Sequence, residues 1–122
     1  MAFRVLIVDD SRFFLEAARA LLEREGLSVV GVASTTAEAI RQNEELRPEV
    51  ALVDINLGGE SGFELARGLS EQDDDGRLKV ILVSTHAEAD FADLIAESPA
   101  HGFLPKSELS AEAIRRILDG RS

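Results

Sequence analysis

Five short runs of apolar, largely β-branched residues recur along the chain, each followed by a stretch with helical spacing. They are Phe3–Val8, Leu27–Ala33, Val50–Val53, Leu78–Val83 and Gly102–Leu104. Runs this apolar suit strands covered on both faces, the condition of a parallel sheet. Parallel neighbours need a crossover of a dozen or more residues, and each interval here can hold a helix. The chain therefore reads as βα repeated five times: an α/β fold with helices on both faces of one sheet.

Caps and stops mark the helices. Ser11 or Asp10 caps the first, which carries Phe14, Leu15, Ala18, Leu21 and Leu22 on one face and stops at Gly26. Ser34-Thr35-Thr36 precede a second helix over Glu38–Leu46, ended by Pro48. Phe63, Leu65, Ala66 and Leu69 mark a third, and Ala87 to about Glu97 a fourth, before Pro99. Ser110 caps a fifth, with Ile114, Ile117 and Leu118 as its apolar face. Asp73-Asp74-Asp75-Gly76 reads as a solvated turn. The commonest order for such a sheet is 2-1-3-4-5, the flavodoxin-like arrangement, which opens a crevice at the carboxyl ends of strands 1 and 3. With 122 residues and no linker or repeat, the expectation is one doubly wound (βα)5 domain over 1–122, its core at about 3–119.

Composition removes several classes of function. At 45% hydrophobic residues the chain is too apolar for disorder. It has no cysteine, so thiol catalysis, iron–sulfur clusters and Cys-ligated zinc are excluded. The net charge is −10, and the eleven Arg and two Lys form no basic stripe, which disfavours direct contact with nucleic acid or an anionic membrane surface. No apolar run approaches the roughly 20 residues that span a bilayer. The apolar stretch after Met1-Ala2-Phe3-Arg4 is too short for a signal-peptide core, so a cytoplasmic location is expected.

Chemistry in open parallel sheets collects where strands end. Strand 1 ends in Asp9-Asp10, strand 3 in Asp54, strand 4 in Ser84-Thr85 and strand 5 in Pro105-Lys106. Singly, each has a plain explanation as a cap, a turn residue or a solvated lysine. Together they place three carboxylates in one crevice, where their repulsion exceeds that in bulk water. A hard divalent cation such as Mg²⁺ compensates such a cluster and keeps open positions for phosphoryl oxygens. One carboxylate then serves as a nucleophile forming an aspartyl phosphate, with Ser84 as donor and Lys106 as point charge.

The runs VLIVDDS (Val5–Ser11), VDINLGGESG (Val53–Gly62), VILVST (Val80–Thr85) and GFLPKS (Gly102–Ser107) occur in this order and spacing. Together they make the chain resemble a receiver domain of the two-component response regulator family, from Phe3 to about Asp119. The resemblance implies that Asp54 is the phosphoacceptor and that Asp9 and Asp10, with Asp54 and the backbone carbonyl of Asn56, hold Mg²⁺. Ser84 matches the family's hydroxyl position, Lys106 its lysine, and Phe103 the aromatic that swings inward in the phosphorylated state. Two positions depart from the family pattern: Gly58 stands where many members have proline, and Ser107 follows Lys106 where proline is common. A cis Lys106–Ser107 bond, costing about 2.5–4 kcal/mol, is not expected.

The partners implied are a sensor histidine kinase or phosphotransfer protein upstream, and a downstream protein target or an output domain. The switching surface would comprise helix 4, strand 5 and helix 5, and a homodimer through helices 1 and 5 or 4 and 5 stays open. The alternative is a Mg²⁺-dependent phosphohydrolase with an aspartate nucleophile. It needs a general acid, and two residues after Asp54 stands Asn56 instead. The expectation is a switch rather than an enzyme. Phe103 also reads as core, Phe13 as exposed, and both His86 and His101 as surface histidines.

Overall fold

Val5, Leu6, Ile7 and Val8 have no accessible surface, as befits the middle of a sheet covered on both sides. A computed structural model, describing residues 3–74, 76–86 and 88–120, places them in strand β1 (Arg4–Val8), between β2 (Ser28–Ala33) and β3 (Val50–Asp54). Beyond β3 lie β4 (Lys79–Ser84) and β5 (Gly102–Pro105). All five strands are parallel, in the order 2-1-3-4-5. A separate two-stranded antiparallel hairpin, Asn56–Leu57 with Glu60–Ser61, follows β3 directly.

Successive β1 side chains alternate between two cores. Val5 and Ile7 pack with Leu15, Ala18 and Leu22 of α1 (Arg12–Arg24) and with Ala111 and Ile114 of α5 (Ala111–Leu118). Leu6 and Val8 pack with Ala39 of α2 (Thr36–Leu46) and with Leu65, Ala66 and Leu69 of α3 (Gly62–Gln72). Each fully buried aliphatic side chain contributes about 1.5–3 kcal/mol of transfer free energy.

The helices begin where a side-chain oxygen accepts an orphan amide. Ser11 accepts from Phe14 N, Thr35 from Glu38 N, Ser61 from Glu64 N and Ser110 from Ala113 N. Ser11 rather than Asp10 caps α1. Because Thr35 is the cap, α2 starts at Thr36, two residues before its expected start.

One expected helix needs correction. The fourth helix, α4, spans only Ala92–Glu97, after a 3-10 turn over Glu88–Phe91. No side chain caps it and none of its residues is buried, so little packing extends it. The apolar face of α5 is as expected: Ile114 is buried, and Ile117 and Leu118, half-buried, pack against the first core. Phe14 and Leu21 likewise sit at the edge of the α1 stripe. Asp75 of the expected turn and Ala87 at the expected helix start lie outside the described residues.

Candidate acid–lysine site at the strand ends

Parallel strands that end level with one another bring distant residues together. Asp9, just past β1, is fully buried, and its backbone amide still donates to Ala33 O in the sheet. Its Oδ1 accepts from Ser11 N at 2.8 Å. Asp54, the last residue of β3, is buried, and its Oδ1 accepts from Asn56 N at 3.0 Å. Lys106 opens a 3-10 turn after β5 and reaches back across the crevice. Its Nζ lies 2.6 Å from Asp9 Oδ2 and 3.1 Å from Asp54 Oδ2. Asp10 is exposed at the mouth. One carboxylate oxygen from each of Asp9, Asp10 and Asp54 lies within 4.8 Å of the others, and this trio is the one such cluster among the described residues.

Three carboxylates against one ammonium leave an excess of negative charge. Burial pushes the Asp9 carboxyl above its ordinary value and the nearby Asp54 charge adds to this, against the pull of Lys106 and the Ser11 amide. For Lys106, burial acts to weaken the ammonium, but its contacts with Asp9 and Asp54 outweigh burial and raise its pKa. The buried Asp9 Oδ2 has the Lys106 ammonium, at 2.6 Å, as its one partner. Three converging carboxylates, an all-oxygen donor set with a net negative charge that one ammonium does not cancel, fit a hard cation of the Mg²⁺ kind.

Ser84, the last residue of β4, is buried; its Oγ accepts from His86 N at 3.0 Å, which leaves the hydroxyl hydrogen outside that bond. Asn56 stands at the base of the hairpin, exposed, two residues beyond Asp54. Phe103 points inward from β5 and packs in the second core, behind the site. Phe13 is 83% exposed. His86 is exposed and meets the Phe91 ring edge-on at 5.8 Å, while Phe91 lies 6.3 Å from Phe63. His101 is paired with Val80, and partial burial followed by the Lys79 charge lowers its pKa. The Lys106–Ser107 bond is trans, as expected.

Two residues of the site escaped the sequence reading. Phe14, assigned there to the apolar stripe of α1, carries its ring under the Lys106 ammonium, 4.3 Å from Nζ to centroid. Helical spacing cannot separate a ring in the core from a ring facing a cation on another strand. Gly62, at the end of the glycine-rich loop, must lack a side chain: a Cβ there would lie 2.0 Å from Asp54 O and 2.6 Å from Ile55 Cα. Its place at the loop's end was the available signal, but which backbone it approached was not readable.

The sequence matches the response regulator receiver domain family over residues 5–119. It is 33% identical over 115 residues to the response regulator GacA of Pseudomonas viridiflava, covering 93% of this chain and 53% of that protein. It is 32% identical over 122 residues to the uncharacterized transcriptional regulatory protein YvfU of Bacillus subtilis, covering 97% and 60%. The chain thus spans about half the length of the curated relatives it matches. Among solved structures it is similar to a LuxR-family two-component response regulator from Aurantimonas, with TM-score 0.86 and 32% identity over 99% of this chain and 88% of that one. It is also similar to the signal receiver domain of the putative response regulator NarL from Mycobacterium tuberculosis, with TM-score 0.82 and 29% identity over 98% and 95%. A third similar structure, with TM-score 0.80 and 26% identity over 95% and 66%, is a Burkholderia pseudomallei response regulator with a phosphorylated aspartic acid, calcium ion and citrate.

Proposed function

We propose that this chain, which belongs to the response regulator receiver family of two-component signalling, is a phosphoacceptor switch in which Asp54 takes a phosphoryl group from a histidine. The donor would be a sensor histidine kinase or a phosphotransfer protein. The observation that carries this reading is the convergence of Asp9, Asp10 and Lys106 on Asp54 from separate strand ends.

In the transfer, a carboxylate oxygen of Asp54 attacks phosphorus, the donor's phosphorus–nitrogen bond breaks, and the electron pair leaves with the imidazole. Mg²⁺, held by Asp9, Asp10, Asp54 and the Asn56 backbone carbonyl, would supply charge neutralisation at the phosphoryl oxygens. Lys106 presents a fixed cation beside the acceptor, which stabilises charge without reorganisation. The Ser84 hydroxyl donates a hydrogen bond to the new phosphoryl group, and Phe103 moves with it. Binding energy at these two residues shifts an existing equilibrium of the α4–β5–α5 surface, read by a downstream protein or an output domain. A cytoplasmic location belongs to the same proposal. Among the described residues no helix is long and apolar enough to cross a membrane.

The test is intact mass after incubation with acetyl phosphate and Mg²⁺. One phosphoryl adduct on the parent protein, absent from Asp54→Asn, is the expected result. No adduct on the parent, or an undiminished adduct on the variant, overturns the proposal. Sustained release of phosphate from small esters over many turnovers would instead identify a phosphohydrolase.

A further inference from the structure

We propose that Phe14 is a positioning residue for Lys106. Its ring face holds the ammonium where it spans Asp9 and Asp54, so that a phosphoryl group arriving on Asp54 meets a cation already in place. This rests on the reading of Asp54 as phosphoacceptor.

An ammonium has three donors and no acceptor. Lys106 Nζ faces Asp9 Oδ2 at 2.6 Å, Asp54 Oδ2 at 3.1 Å and the Phe14 centroid at 4.3 Å. The negative face of an aromatic ring attracts a cation within about 6 Å, more strongly where water is thin. The Lys106 side chain is only 16% exposed, so the contact is largely shielded from solvent.

The ring is itself held to the acid it serves. Asp9 Oδ1 accepts from Ser11 N, Ser11 Oγ accepts from Phe14 N, the Phe14 ring lies under Lys106 Nζ, and Nζ returns to Asp9 Oδ2. The circuit closes on one carboxylate. A lysine on a flexible four-carbon stem is poorly oriented by charge alone, which has no preferred direction; a ring beneath it removes alternatives. The ring's other contacts are with the first core, which anchors it.

The experiment replaces Phe14 with phenylalanines bearing one, two or three ring fluorines, which drain the quadrupole while nearly preserving shape. Two readouts are taken: the rate of phosphorylation by acetyl phosphate at saturating Mg²⁺, and the Lys106 side-chain NMR resonances in metal-free protein. The rate is expected to fall stepwise with fluorination, by roughly 3- to 10-fold in total, with Phe14→Leu lowest and Phe14→Tyr near the parent. The Lys106 resonances, shifted upfield by the ring, are expected to return downfield in Phe14→Leu. A rate flat across the fluorine series, or Lys106 resonances unmoved by Phe14→Leu, overturns the proposal while a phosphorylated parent leaves the acceptor reading standing. A parent that takes no phosphate overturns the acceptor reading and with it the role assigned to Phe14, even where the resonance shift verifies the contact.

Discussion

Asp10 is the exposed member of the acid trio and adds negative charge to a crevice with one ammonium in it. Without metal that charge opposes folding, and on the proposed reading it would be a ligand once Mg²⁺ binds. Asp10→Asn is therefore expected to raise metal-free stability by up to about 1 kcal/mol, as relief at an exposed charge allows. The same variant should lose most of the Mg²⁺-dependent stabilisation, which in the parent reaches about 2.7 kcal/mol when Mg²⁺ is a hundredfold above its Kd. Thermal unfolding with Mg²⁺ and with EDTA measures both, and equal Mg²⁺ stabilisation in parent and variant would count against Asp10 as a ligand. Gly62 is a different kind of constraint. A methyl group there meets Asp54 O at 2.0 Å, so Gly62→Ala should cost about 1–3 kcal/mol in urea unfolding, as overpacking does. It should also displace the Asp54 backbone.

The hairpin between Asp54 and α3 is held from outside by Glu60. Its carboxylate accepts from both Thr36 N and Thr36 Oγ1 at 2.9 Å, gripping the first turn of α2. Those bonds, the backbone one foremost, lower the Glu60 pKa below its ordinary value of 4.5. A carboxyl whose folded pKa is depressed adds stability that is complete above its unfolded pKa and lost as pH falls through the folded value. Glu60→Gln should therefore flatten the acid limb of the stability curve below about pH 4.5, leaving the neutral limb lowered but parallel; acid titrations of parent and variant that superimpose would show that the grip is not made in solution. This element was partly legible in advance. The glycine-rich loop was evident from Gly58-Gly59, and Gly58 does adopt φ +73°, but a carboxylate pairing with a residue 24 positions away has no local signature. The fourth helix was legible in the sequence but over too long a span: Phe91, just before it, and Ile95 within it find only partial burial against the second core, so the helix runs only over Ala92–Glu97.

For the molecule as a whole, α4 is the part of the α4–β5–α5 surface with least to hold it, while β5 and α5 are anchored by Phe103, Leu104, Ala111 and Ile114. No residue of α4 is buried, and Leu94 is exposed. Beryllofluoride with Mg²⁺, which mimics the aspartyl phosphate, is expected to change amide exchange in α4 and β5 before it changes β1 or β3. Unaltered exchange there would move the output surface elsewhere, and size-exclusion chromatography of the same samples reports whether the modified form pairs with a second copy. The alternation of five buried strands with helices, the helix starts near Ser11, Thr35 and Ser110, and the placement of acids and lysine at the ends of strands were properties of the chain's own order. They depend on hydrophobic period and on local backbone hydrogen bonds, which neighbours in sequence determine. Which groups touch was decided only by packing. Lys106 bridging Asp9 and Asp54 over the Phe14 ring and Glu60 on Thr36 join residues far apart in sequence, and Gly62 is pressed on the Asp54 carbonyl by the fold of the hairpin between them; these distances follow from how layers of side chains fill space.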